Sequence, residues 1–282
     1  MGAVTSNASA PPAACPADDL TLAGAVMCLA VIAYAAHPRF ALVVAANRDE
    51  FHARPTSAAH WWADDGMLAG RDERALGTWF GITRQGRYAF VTNVREPGRN
   101  DPAAPSRGEL VPRMLQRPAS IDASGTAVLR DARRYNGFNL IGGDMASARY
   151  LSNRNVCPVA IRDGVHGLSN AALDDPWPKV VRTRAALARW CAAGSDDPST
   201  LWDALGDRAA ADDARLPATG ISRERERLLS AAFIVDPTYG TRSSTLLTIT
   251  RDGMATFVER SFDARGLQSG EVVQRFAVES AP

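Results

Sequence analysis

The feature that most constrains this chain is a pair of apolar runs separated by a short polar turn. Cys28–Tyr34 and Phe40–Ala46 are almost wholly apolar, and His37-Pro38-Arg39 stands between them. Short apolar runs bounded by turn residues predict buried strands, here joined as a hairpin. The first run begins with a thiol, and the second is followed at once by the polar segment 47–50. Because a hairpin brings these ends together, the sequence predicts a site with Cys28 as nucleophile and with Arg48 and Asp49 beside it.

Composition excludes several classes of function. The 282 residues are 46% hydrophobic and 22% charged, with a formal net charge of +1, so no overall field favours nucleic acid or an anionic membrane. Lys179 is the only lysine, a bias that we attribute to a GC-rich genome rather than to phosphate binding. Neither the four histidines nor the four cysteines have metal-ligand spacing, so no metal site is predicted and free thiols in a reducing compartment are expected. The cysteines are Cys15, Cys28, Cys157 and Cys191.

The first residues allow three interpretations. Residues 1–19 are rich in Ala, Pro and Ser and are predicted to be disordered, whereas Leu20–Ala36 is apolar. That run is shorter than the roughly 20 residues of a membrane span. A secretory signal needs positive charge before its apolar part, and no Lys or Arg precedes Arg39. We therefore favour a leader over residues 1–26, a single domain over 27–282, a cytoplasmic location over export, and no stable membrane insertion. Loss of Met27 would then leave Cys28 as the N-terminal residue.

The rest of the chain predicts one α+β domain with layered sheets. A long helix is predicted from Pro178 to about Ala193 and a shorter one over Pro198–Leu205, while 51–65 is predicted to be a loop. The further strands are predicted at Gly77–Thr83, Tyr88–Asn93, Phe138–Gly142, Arg149–Ser152, Val159–Ile161, Val165–Ser169, Ala231–Val235, Ser244–Thr250, Ala255–Phe262 and Glu271–Ala277.

Polar clusters stand at or just past the ends of several predicted strands. Thr92-Asn93, Ser169-Asn170 and the segment 240–244 follow this pattern, as does Asn47 after the second strand. The ends of buried strands are common places for a site, although each residue taken singly is more often a turn or cap. We predict that Asn47, Thr92 and the aromatic side chain of Trp79 bind the ligand.

As a set, these segments resemble the NRDE family, also called the Transport and Golgi organisation 2 family. The resemblance rests on Met-Cys at 27–28, Ala-Asn-Arg-Asp-Glu-Phe at 46–51, Gly-Thr-Trp-Phe-Gly at 77–81, Thr-Asn-Val-Arg at 92–95, Tyr-Asn-Gly-Phe-Asn-Leu at 135–140, Gly-Leu-Ser-Asn at 167–170 and Tyr-Gly-Thr-Arg-Ser-Ser-Thr at 239–245. The resemblance implies an αββα sandwich of mainly antiparallel sheets, like that of the N-terminal-nucleophile (Ntn) hydrolases. It also implies a connection with haem mobilisation or lipid metabolism.

A more distant similarity, to the cysteine Ntn hydrolases of the penicillin V acylase and bile-salt hydrolase type, implies roles for single residues. Cys28 would be the nucleophile, and Asp49 would hold its α-amine or thiol. Asn170 would stabilise the oxyanion, with Asn93 as a second site asparagine and Arg242 as a late site arginine. Those enzymes have arginine directly before the Asn-x-Asp, where this chain has Ala46. Strand alternation would send Arg48 to the opposite face from its neighbours unless the strand has ended or bulged.

Two functions follow as expectations. The first is a hydrolase that cleaves an amide or thioester of a small acylated molecule, with no cofactor required. A free α-amine, with a pKa of about 7.7–8.0, would serve it as a general base near neutral pH. The second is a non-catalytic carrier on the same fold that binds haem or a lipid.

Overall fold

Two antiparallel sheets form the middle of the protein in a computed structural model, which describes residues 28–64, 66–115, 120–155 and 157–279. Their order along the chain is β1(Cys28–Tyr34), β2(Phe40–Phe51), β3(Thr56–Trp62), β4(Met67–Asp72), β5(Phe80–Thr83), β6(Tyr88–Asn93), β7(Phe138–Gly143), β8(Ala148–Ser152), β9(Val159–Ala160), β10(Gly164–Leu168), β11(Tyr239–Thr250), β12(Met254–Phe262) and β13(Gln268–Ala277). The six-stranded sheet has the order β10-β1-β2-β11-β12-β13, and the seven-stranded sheet runs from β3 to β9 in chain order.

Helices cover the outer faces of both sheets. α1(Leu110–Leu115) and α2(Ile121–Arg130) pack on the seven-stranded sheet. α3(Pro178–Ala192) and α4(Ser199–Leu205) pack on the six-stranded sheet, and α5(Arg223–Leu228) follows later in the chain. The layers are therefore helix, sheet, sheet and helix, which confirms the predicted αββα arrangement.

Side-chain alternation along β1 and β2 explains why both strands are apolar throughout. Ile32 and Val44 belong to the core between the two sheets, whereas Val31 and Val43 face the α3–α4 layer. A strand covered on both faces needs apolar side chains at every position. The same alternation fixes which face each polar residue at the end of β2 occupies.

Two predictions of local structure are wrong. The predicted loop over 51–65 contains β3, which pairs with β4 and has a register shift between Ser57 and His60. The predicted strand Ala231–Val235 is irregular and is buried except at Val235, because Phe233 N–H donates to the Asp207 carbonyl and Ile234 N–H to the Thr241 hydroxyl. An apolar run shows that a segment is buried, but it does not show whether its backbone pairs in a ladder.

The leader, together with Met27 and Cys15, lies outside the described residues. Among the helices of the described part of the chain, none has the length and apolar character needed to cross a membrane.

Candidate active site

Cys28 is the first residue of β1. The strands β2 and β10 lie beside β1 in the same sheet and β11 lies beside β2, and polar residues at or just past the ends of these strands surround Cys28. Cys28 is opposite Arg48 in the β1–β2 pairing, and Asp49 is opposite Thr241 in the β2–β11 pairing. On the other side, Ser169 lies just past β10 and its hydroxyl donates to the Cys28 carbonyl at 2.8 Å. Residues from four different parts of the sequence are therefore brought together at one end of the six-stranded sheet.

The Cys28 thiol is almost completely buried, and burial is the main cause of a pKa raised to about 12. The Asp49 carboxylate raises this pKa further, while the Asp49 backbone N–H and the Arg48 guanidinium lower it. A thiol with this pKa is almost wholly protonated at neutral pH. In the full chain, Cys28 therefore needs a nearby base before it can act as a nucleophile.

Asp49 faces the helix layer and has no exposed surface. Its Oδ1 accepts a hydrogen bond of 2.6 Å from the Thr241 hydroxyl. Its Oδ2 lies 4.0 Å from the Lys179 ammonium and has no hydrogen-bond partner among the described residues. Burial raises the pKa of Asp49 to about 6, against the opposing effects of Lys179 and Thr241. Asp49 is thus a buried carboxylate with one oxygen available to a further donor.

Arg48 faces the opposite way, between the two sheets. Its guanidinium lies 4.2 Å from the centre of the Trp79 ring, donates to the Thr56 hydroxyl at 3.3 Å and lies 3.7 Å from Glu50. The Trp79 indole in turn lies against Gly70, where an added Cβ would come within 2.4 Å of the ring. Side chains of β2 still alternate between the two faces of the sheet at this point. Arg48 therefore lies on the inter-sheet face, as Cys28 does, whereas Asp49 lies on the face covered by helices.

The bulge that the sequence left open is in the partner strand. The β2–β11 register shifts between Thr241 and Ser243, so Arg242 is the extra residue. Its Nη1 donates to the carbonyls of Phe51, His52 and Arg54 at 2.8, 3.1 and 3.2 Å. Arg242 therefore holds the segment that leaves β2, and burial lowers its pKa.

The predicted asparagines lie together beside Cys28. The Asn170 amide nitrogen donates to the Asn93 carbonyl at 2.7 Å, and its Oδ1 accepts from the Ser169 hydroxyl at 3.1 Å. The Thr92 hydroxyl donates to the Ser169 carbonyl at 2.6 Å. These bonds connect the end of β6 to the end of β10, and they hold the Asn170 amide against the strand that starts with Cys28.

Asn47 lies apart from this group. Its amide nitrogen donates to the carbonyls of Leu205 and Ala232, both at 2.8 Å, and its Oδ1 accepts from the Ser244 hydroxyl at 2.6 Å. These three bonds commit the side chain to joining the α4 end and the segment before β11 to the sheet.

Two charged residues of the site escaped prediction. Arg107 lies close enough to Cys28 and Glu50 for both to raise its pKa, although burial lowers that pKa to about 10. The sequence around it has the pattern of a helix cap, and Ser106 does accept a cap bond of 3.2 Å from Gly108 N–H. Lys179 is the second, and the only feature of the sequence that could have indicated a role for it is that it is the only lysine.

Among the described residues, no group of three or more His, Cys, Asp and Glu side chains is placed to hold a metal ion. The three cysteines in the described part of the chain are free thiols. The chemistry open to the site is therefore that of a buried thiol beside a carboxylate, a lysine, an amide and several guanidinium groups.

Comparison with known proteins agrees with the earlier resemblance. The family model for Transport and Golgi organisation 2 matches residues 27–264. The Bos taurus Transport and Golgi organization protein 2 homolog is 36% identical over 243 residues, which is 79% of this chain and 87% of that protein. The Homo sapiens homolog is 34% identical over 253 residues, which is 82% of this chain and 90% of that protein.

A solved structure gives a weaker match. The match to the crystal structure of a mutant conjugated bile acid hydrolase from Clostridium perfringens covers 89% of this chain and 96% of the hydrolase chain, with 9% sequence identity and a TM-score of 0.44. The family match spans every strand except β13 and every residue of the site described above. The chain belongs to the Transport and Golgi organisation 2 family.

Proposed function

We propose that this protein is a cysteine hydrolase of the N-terminal-nucleophile type, which cleaves an amide or thioester of a small acylated molecule through Cys28. The observation that carries the proposal is the position of Asp49 beside the first residue of β1. Its Oδ2 is buried and lacks a hydrogen-bond partner among the described residues, and its backbone N–H lowers the pKa of the Cys28 thiol. A carboxylate in this place suits an α-ammonium or α-amine at Cys28.

The proposed reaction starts from a chain in which Cys28 is the N-terminal residue. The α-amine takes the thiol proton, and Sγ attacks the substrate carbonyl carbon. The leaving nitrogen or sulfur departs with a proton from the α-ammonium, which leaves an acyl group on Sγ. The α-amine then takes a proton from water as the water attacks this thioester. The resulting α-ammonium returns that proton to Sγ as the carboxylic acid departs, which restores the thiol and the amine.

The amide of Asn170 and a backbone N–H would stabilise the oxyanion in both steps. Such a donor is worth about 3–4 kcal/mol in other enzymes. The hydrogen bonds that Asn170 makes with Ser169 and Asn93 support this role, because they fix the amide before substrate arrives. Arg48 and Arg107 place positive charge near the sulfur, which favours the thiolate.

The test is hydrolysis of a panel of N-acyl amides and acyl thioesters, with intact-mass measurement of the same protein. We expect activity in chains that begin with Cys28, and a loss of at least about 100-fold in Cys28→Ser. Cys157→Ser is the matched control, because Cys157 is an exposed thiol outside the site. Full activity in Cys28→Ser, or in protein that retains residues 1–27, would overturn the proposal.

A second candidate, a non-catalytic carrier of haem or a lipid, is favoured by one observation. In the full chain the Cys28 thiol has a pKa of about 12, so without a freed amine the site holds a neutral thiol rather than a nucleophile. Saturable binding in a haem titration, or a co-purifying lipid, in protein that keeps its leader would support the carrier. Absence of both would exclude it.

A further inference from the structure

Lys179 is a buried cation that faces a carboxylate of the candidate site. It lies in the first turn of α3, its side chain is 1% exposed, and its Nζ is 4.0 Å from Asp49 Oδ2. Neither of these two atoms has a hydrogen-bond partner among the described residues. Two opposite charges thus face each other inside the protein at a distance longer than a direct hydrogen bond.

This placement is costly in two ways. A buried ammonium loses its hydration, and the N-terminal end of a helix carries positive partial charge that repels a cation. The chain has arginine at every other position that carries a lysine or arginine, yet lysine occupies this one. The two differ physically: a guanidinium stays charged at any ordinary pH, whereas a compact ammonium responds to burial and to neighbouring charge.

The charged groups around Lys179 come from several elements. Asp49 on β2 and Cys28 on β1 raise its pKa, while Arg95, after β6, lowers it and is itself ion-paired with Glu226 of α5. Burial is the largest effect and brings the pKa of Lys179 down to about 8. From the side of Asp49, Arg48 and Glu50 add smaller and opposing effects on the carboxylate. The pair is therefore ionised between about pH 6 and pH 8.

We infer that Lys179 is a positioning residue that keeps Asp49 ionised and so enables it to hold the Cys28 α-amine, an inference that rests on the proposed function. An ionised Asp49 accepts a hydrogen bond from the amine, whereas a protonated one offers a competing donor. The same positive charge disfavours protonation of the amine, which keeps it neutral as a base. Lys179 itself touches neither the substrate nor the reacting atoms.

The first test needs no enzymatic activity. Biosynthetic labelling with [13Cε]-lysine places one lysine label in the full chain, at Lys179, and its chemical shift reports protonation. We expect a midpoint near pH 8 in the wild type and a midpoint lower by about one pH unit or more in Asp49→Asn, because an opposite charge is lost. Glu259→Gln is the control for loss of a buried acid elsewhere. A wild-type midpoint near the ordinary value of about 10.4, or no shift in Asp49→Asn, would overturn the inference.

The second test compares pH profiles of hydrolysis in Lys179→Met and Lys179→Arg. Removal of the cation raises the pKa of both Asp49 and the α-amine, so the acid limb of the Lys179→Met profile should move to higher pH, with kcat at pH 7 reduced at least about tenfold. Lys179→Arg should restore the wild-type acid limb. A purely structural role would lower activity without moving that limb. An inactive wild type would defeat the proposed hydrolase and leave the lysine titration readable, whereas an active Lys179→Met with an unmoved limb would defeat this inference alone.

Discussion

Arg48 and Asp49 are adjacent in the chain but act on opposite faces of one sheet. The Arg48 guanidinium stacks on Trp79 between the sheets, and the Asp49 carboxylate bonds to Thr241 beneath the helix layer. The polar segment at the end of β2 therefore contributes to two separate polar clusters, one on each face of the sheet, and both lie next to the start of β1. Substitutions at these neighbours should consequently have separate effects.

Thr241 allows a direct test of how Asp49 is held. Its hydroxyl donates to Asp49 Oδ1 at 2.6 Å and accepts from Ile234 N–H at 2.9 Å, both within the buried interior. Thr241→Val keeps the shape of the side chain but leaves both partners unpaired. We expect a loss of about 1–3 kcal/mol in the free energy of unfolding, measured by urea denaturation. Thr248→Val, on the same strand and half-buried, is the control. Equal stability of the two variants would contradict the assigned role of Thr241.

For single residues, the sequence was enough to predict which side chains belong to the site, but not which other side chains each of them contacts. Cys28, Asp49, Asn93 and Asn170 were predicted as site residues, and the structure brings them together at one end of the six-stranded sheet. Arg107 escaped because the segment after Ser106 has the pattern of a helix cap. The packing of elements that are distant in the sequence decides which charged side chains lie next to each other, and the spacing of residues along the chain does not predict it.

At the scale of elements, the buried carboxyl group of Glu259 on β12 connects the two sheets by a hydrogen bond to β3. The register shift in β3 frees Ala59 N–H from the ladder, and the Glu259 Oε1 accepts it at 2.7 Å. Burial raises the pKa of Glu259 to about 7, despite the opposing effects of Ala59 N–H and Arg48. The carboxyl therefore stays protonated in the folded protein at mildly acidic pH.

This shift predicts a pH dependence of stability. The folded protein keeps a proton on Glu259 between the ordinary pKa of about 4.3 and about 7, and the unfolded chain does not, so this stabilisation is full below about pH 4.3 and is lost as pH rises toward 7. Glu259→Gln mimics the protonated form. In urea denaturation it should match the wild type near pH 4 and exceed it by about 2–4 kcal/mol at pH 8. The exposed Glu271→Gln is the control, and a wild-type advantage at pH 8 would show that the pKa of Glu259 is not raised in the folded protein.

The hairpin β1–β2 and the long helix α3 were predictable because each has a strong local pattern, a doubly covered apolar run or a Pro-initiated amphipathic stretch. The strand β3 was not, because a Pro-flanked, Ala-rich edge segment lacks apolar alternation. The apolar segment 231–235 was wrongly predicted to be a strand. Its backbone bonds go to the Asp207 carbonyl and to the hydroxyl and N–H of Thr241, and they do not form a ladder.

At the scale of the whole molecule, both sheets and the three large apolar cores are built from residues after 27. The order of elements, with strands first, helices in the middle and strands last, was enough to predict a layered α+β fold. The order of strands within the six-stranded sheet was not predictable, because the pairing of β2 with β11 joins segments that are about 200 residues apart.

The leader gives the last prediction, because its removal should change activity and not stability. A chain whose translation starts at Met27 should lose that methionine and begin with Cys28, while retaining every described element. We expect its midpoint in thermal unfolding to match that of the full chain. We expect its hydrolysis of acyl substrates to rise by about 100-fold or more, the range of a general base newly supplied by the α-amine.

The matched control for this chain carries one Ala inserted between Met27 and Cys28. After loss of the methionine, that chain has the same fold and a free amine on alanine, but the nitrogen of Cys28 remains in a peptide bond. It should unfold like the shortened chain and hydrolyse like the full one. Equal activity in the two shortened chains would show that the benefit comes from uncovering the site and not from the Cys28 amine. Asp49 and Lys179 would then act on the thiol alone.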